Sequence, residues 1–104
     1  MANAHGWEFE CDLGVDDALP LVDGTAGFAF RVRESEYQGR YLNGTDARGV
    51  RIRILGEPRL AELELYLPSP PRGQELDEPS RSALIETVVL QLLARLGARD
   101  VRED

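Results

Sequence analysis

Apolar and polar residues alternate with a period of two in four stretches of the chain. Trp7-Glu8-Phe9-Glu10-Cys11-Asp12-Leu13 is the first, and Gly27 to Arg33 the second, with Phe28, Phe30 and Val32 on one parity. Val50 to Ile54 and Ala61 to Leu67 repeat the pattern. Successive side chains of a strand point to opposite faces, so each stretch predicts a strand with one buried face. Tyr37 to Leu42 is a weaker strand candidate, closed by Asn43-Gly44, a tight-turn dipeptide. Val15 to Val22 carries mixed signals. Asp16-Asp17-Ala18 suits a helical turn, whereas Pro20 and Asp23-Gly24 suit a short edge strand entering a turn.

The period changes after residue 77. Leu84, Ile85, Val88, Val89, Leu92, Leu93 and Leu96 recur at helical spacing and share one face. Asp77 fits an N-cap, Pro79 a first turn, and Gly97 the left-handed position beyond the end. A helix over 78–97 follows. Residues 68–76, with prolines at 68, 70 and 71, read as an extended connection. The expected fold is α+β: an antiparallel β-meander of four to six strands with one C-terminal helix packed on one face. At 104 residues the chain is expected to form a single domain, with residues 1–6 frayed.

Charge changes this picture by its distribution. The net charge of −7 divides into −6 over residues 1–30, +3 over 31–59 and −4 over 60–104. All 12 basic residues are arginine, as expected of a GC-rich genome. An acidic chain repels phosphates at long range, so no nucleic-acid partner is expected. No apolar run approaches the roughly 20 residues of a membrane span, and residues 1–6 have no signal-peptide character. The one cysteine, Cys11, fits a reducing compartment. A cytoplasmic bacterial protein is the expectation.

Candidate chemistry is sparse. His5 and Cys11 are the only residues of their kinds, too few for a zinc set. Cys11 shares strand parity with Trp7 and Phe9 and is expected in the core. Asp16, Asp17 and Asp23 lack the spacing of a calcium loop. Neither glycine-bearing loop, Asp23 to Gly27 or Asn43 to Gly49, matches a phosphate-binding motif. The outline of a small β-structure with a C-terminal helix is similar to that of PilZ-type cyclic-dinucleotide receptors. The paired-arginine motif of that family is missing before the first strand, and Asp23 to Gly27 lacks the spacing of its second motif, so the family is not assigned. No cofactor, metal or catalytic activity is expected.

Two features remain. Arg31, Arg33, Arg51 and Arg53 point away from the core by strand parity, where they either pair laterally with acidic strands or form an anion site. Ala83, Leu90 and Ala94 lie opposite the core stripe of the helix. The expected function is a non-enzymatic acidic protein-interaction module, such as an inhibitor, immunity-type protein or adaptor. It would bind a protein with a basic surface through Asp16, Asp17, Asp23 and Leu90. The alternatives are a small-anion or nucleotide-binding domain using the four arginines, and a homo-oligomeric structural subunit, for instance a homodimer.

Overall fold

A computed structural model describes residues 4–68 and 78–103. Six strands form one antiparallel sheet: β1 (Ala4–Glu10), β2 (Ala29–Ser35), β3 (Gly39–Thr45), β4 (Arg51–Leu55), β5 (Glu62–Tyr66) and β6 (Arg99–Glu103). Their lateral order is β2-β3-β4-β5-β1-β6. Strands β2 to β5 form the expected meander. The first strand then docks beside β5, and β6 adds outside it. Since β1 is antiparallel to both neighbours, β5 and β6 run parallel with β1 between them.

The C-terminal helix, α2, joins β5 to β6 through the connection at 69–77, which lies outside the described residues along with the expected Asp77 cap. It is α-helical over Glu78–Leu84, π-helical over Ile85–Val89 and α-helical again over Leu90–Leu96. Its stripe of Leu84, Val88, Val89, Leu92, Leu93 and Leu96 is buried, and Ile85 packs at its margin. Gly97 adopts φ +66°, and the Gly97 and Ala98 amides donate to the Ala94 and Leu93 carbonyls at 3.1 and 3.0 Å. These bonds satisfy carbonyls that a helix end leaves open.

The sheet face under α2 carries Trp7, Phe9, Phe30, Leu42, Ile52, Ile54, Leu63 and Leu65, all in one apolar cluster with the helix stripe. The predicted parity of the strands therefore holds. No described helix is packed on the opposite face, the open face, which carries Arg31, Arg33, Arg51 and Arg53.

One open reading is resolved and two local expectations are corrected. Of the two readings open for Val15–Val22, the helical one holds: the segment is a helix, α1. Pro20 removes the amide that would reach the Asp16 carbonyl, but Asp16 is exposed and its carbonyl can take water instead. Burial of Val15, Ala18 and Val22 on one side of α1 against the core outweighs that loss. Asn43-Gly44 lies within β3 and makes no turn. Gly44 pairs with Phe30 across the ladder, and a Cβ there would stand 2.5 Å from the Phe30 ring. The glycine is present because an aromatic ring lies over its backbone. The turn comes later, where Asp46 Oδ1 accepts from the amides of Arg48 and Val50, each at 3.0 Å. Residues 4–6, expected to fray, begin β1, and His5 is half-buried opposite Leu65.

Candidate binding surface

The open face is built in rows by strand register. Arg31 of β2 lies across from Asn43, which lies across from Arg53, then Glu64, then Gly6. In the flanking rows Arg33 faces Tyr41, and Arg51 stands between Thr45 and Tyr66. Four arginines thus occupy the β2–β4 half of the face, as strand parity predicts. Glu62, Glu64 and Glu8 occupy the β5–β1 half.

The strand order decides which arginines are neutralised. Arg53 adjoins β5, and its Nε and Nη2 donate to Glu64 Oε1 at 3.1 and 2.7 Å. The same Nη2 donates to the Tyr66 hydroxyl at 2.8 Å, and Nη1 to Gln38 Oε1 at 3.1 Å. Its guanidinium also lies 5.2 Å from the Tyr66 ring centre and 5.7 Å from that of Tyr41. Burial alone would lower its pKa, but the hydrogen bonds to Glu64 and Tyr66 raise it above the usual arginine value. Burial raises the Tyr66 pKa, and the neighbouring Glu64 adds to the effect.

Arg51 stacks over Tyr66 at 4.7 Å and makes no ion pair among the described residues. Arg31 and Arg33 stand on the edge strand β2, whose one neighbour among the described strands, β3, offers them Asn43 and Tyr41. Neither forms an ion pair among the described residues. Lateral pairing of acids with arginines therefore accounts for Arg53 alone. Arg31, Arg33 and Arg51 are exposed; Arg33 is the cross-strand partner of Tyr41, and Arg51 stacks on Tyr66.

The acidic residues singled out from the sequence are spread along α1. Asp16 and Asp17 lie in its first turn and Asp23 at its C-cap, so they sit at opposite ends of a helix about 12 Å long. Asp16 holds Arg40 through both carboxylate oxygens, and that hydrogen bonding keeps its pKa below the usual carboxylate value. Asp23 Oδ1 accepts the Phe30 amide at 3.0 Å. Asp17 is exposed with no ion pair among the described residues. Leu90 is exposed on the outer side of α2, 58% accessible, with Ala83 and Ala94 also exposed. The structure does not gather these acids into one site.

Cys11 is buried, and its thiol donates toward the Leu60 carbonyl at 3.4 Å. No group of three or more His, Cys, Asp or Glu among the described residues stands close enough to hold a metal. No described helix is long and apolar enough to cross a membrane. Among the described residues, surface depressions occur away from the arginine face. One is lined by Asp16, Arg40 and Pro58, another by Ala26, Arg48 and Thr87.

Sequence reasoning did not find Tyr41, Tyr66, Asn43 or Gln38. The first three share the outward parity of the arginines, which was the signal available. Tyr37, at the tip of the β2–β3 hairpin, is 96% exposed.

No protein-family model matches this chain, and comparison with curated proteins finds no similar sequence.

Proposed function

We propose that this protein is a non-enzymatic protein-interaction module that binds an acidic polypeptide segment on the open face of its sheet. The observation that carries this reading is the set of Arg31, Arg33 and Arg51, exposed, without ion pairs among the described residues, and interleaved with Tyr41 and Tyr66. Arginine and tyrosine are enriched at protein interfaces because each combines apolar area with directed hydrogen bonds. A guanidinium binds a carboxylate through two parallel bonds, which favours an acidic partner.

The chain as a whole is acidic, but charges further apart than about 8 Å are screened at physiological salt. The local field over β2–β4 therefore governs contact. The acids elsewhere disfavour docking in other orientations.

The same arginines would also suit a small anion. A sheet face projects its side chains into solvent, whereas small-ligand sites are concave. An extended partner fits the face better.

The test is capture from an extract of the organism that encodes the protein, with the wild type and with Arg31→Gln/Arg33→Gln/Arg51→Gln as baits. A protein retained by the wild type, released by salt and missed by the folded triple variant supports the proposal. Equal retention by both baits, or no retained protein, contradicts it.

A further inference from the structure

Strand β2 is an edge of the sheet, and its hydrogen-bonding direction can be read from two contacts. The Phe30 amide donates to Asp23 Oδ1 at 3.0 Å, and the Phe28 carbonyl accepts from the Gly24 amide at 2.7 Å. Both partners lie on the side of β2 away from β3. Phe30 and Gly44 are therefore a non-hydrogen-bonded pair of the β2–β3 ladder. The register runs without a break from Ala29↔Thr45 to Ser35↔Gly39. By alternation, the N–H and C=O of Val32 and of Glu34 also point outward. Among the described residues no hydrogen bond reaches them.

The residues between these outward groups are Arg31 and Arg33, whose side chains stand on the open face. An added strand would place its own alternate side chains beside them, at about 4.5–5.5 Å between Cβ atoms. The other edge of the sheet is a poorer template. Asp100 in β6 has φ +52°, which interrupts the extended backbone.

We propose that the acidic partner binds as an extended segment adding a strand to the outer edge of β2, with carboxylates at alternate positions over Arg31 and Arg33. This rests on the preceding reading of the arginine face. In such strand addition the main chain supplies affinity and alternate side chains supply specificity. A second copy of this chain is a poor occupant. Antiparallel self-pairing centred on Val32 sets Arg31 against Arg33 of the other copy, and like charges placed opposite each other destabilise a ladder.

The probe is an end-blocked peptide alternating glutamate with threonine, titrated into the isotopically labelled protein and followed by NMR. Hydrogen exchange at the Val32 and Glu34 amides should slow by at least about tenfold at saturation, as expected when exposed amides enter a ladder. Val32→Pro removes the outward N–H at an edge position where proline is tolerated, and should weaken binding about tenfold or more. Should that variant not fold, N-methylation of the peptide gives the same information. Methylating one alternate set of its amides should abolish binding, and methylating the other set should leave it intact.

Binding that survives Val32→Pro and both methylations, but is lost in Arg31→Gln/Arg33→Gln, overturns strand addition and leaves the arginine face in place. Failure of the peptide to bind below about 1 mM, a free energy near −4 kcal/mol by the affinity relation, overturns both.

Discussion

Arg53 and Glu64 face each other across β4 and β5, joined by two hydrogen bonds of 3.1 and 2.7 Å to one carboxylate oxygen. That pair separates one arginine of the open face from the other three. Arg53 is only 20% exposed and is held by Glu64, Tyr66 and Gln38, so its charge is spent within the fold. Arg31, Arg33 and Arg51 have no carboxylate partner among the described residues.

The division has a consequence for stability. Arg53→Gln should cost about 1 kcal/mol, the scale of a partly exposed ion pair together with a cation–π contact. Arg31→Gln and Arg33→Gln should each change stability by less than about 0.5 kcal/mol, as surface substitutions do. Urea denaturation of the three variants checks this. Equal costs at all three positions would show that the edge arginines have structural partners.

Gly44→Ala should be destabilising by about 1–3 kcal/mol, because the new methyl group meets the Phe30 ring at 2.5 Å. Phe30→Leu should make the second change cheaper, giving a coupling energy in a double-mutant cycle. Additive costs would mean that ring and glycine do not compete for the same space.

On α2, Leu92→Ala should cost about 2–5 kcal/mol and Val88→Asp should prevent folding, since both side chains are fully enclosed. Leu90→Gln, one position from the buried Val89, should change stability by less than about 0.5 kcal/mol. Calorimetric unfolding distinguishes these. A small effect at Leu92 would show that the helix is not docked on the sheet.

The regular strands and the helix stripe were legible because burial on one face leaves a period in the chain. Phe28 and Phe30, Ile52 and Ile54, Leu63 and Leu65 display it, as do Leu84, Val88 and Leu92. β6 was not legible. All five of its residues are exposed, so no alternation marks it, and only pairing with β1 makes it a strand. α1 stayed ambiguous in the sequence because Pro20 and Asp23-Gly24 are local signals, whereas burial of Val15, Ala18 and Val22 is a tertiary effect. Outward parity of the arginines could be read directly. Their pairing could not, since it depends on β4 lying beside β5 and β2 lying at an edge.

Two ionisation effects should follow from these contacts. Burial, reinforced by Glu64, raises the Tyr66 pKa above the ordinary phenol value near 10. The folded state thus favours the neutral phenol. Its contribution to stability is complete below the unfolded value and disappears as pH rises through the higher folded value. The difference in ultraviolet titration between the wild type and Tyr66→Phe should show a phenol ionising above pH 10. Ionisation at or below that value would contradict the contact. At the acid end, hydrogen bonds from Arg99 and Arg40 depress the pKa values of Asp12 and Asp16. The stabilisation they give is present above the unfolded carboxylate value and is lost as pH falls through the folded ones.

The arginine face itself is tested by the affinity of an alternating glutamate–threonine peptide for the wild type and for Arg31→Gln/Arg33→Gln/Arg51→Gln, measured by fluorescence anisotropy. The wild type should bind at least about tenfold more tightly than the folded triple variant, and its affinity should fall as salt rises from about 0.05 to about 0.5 M. Equal affinity for the two proteins, or binding indifferent to salt, would contradict an acidic partner held by Arg31, Arg33 and Arg51.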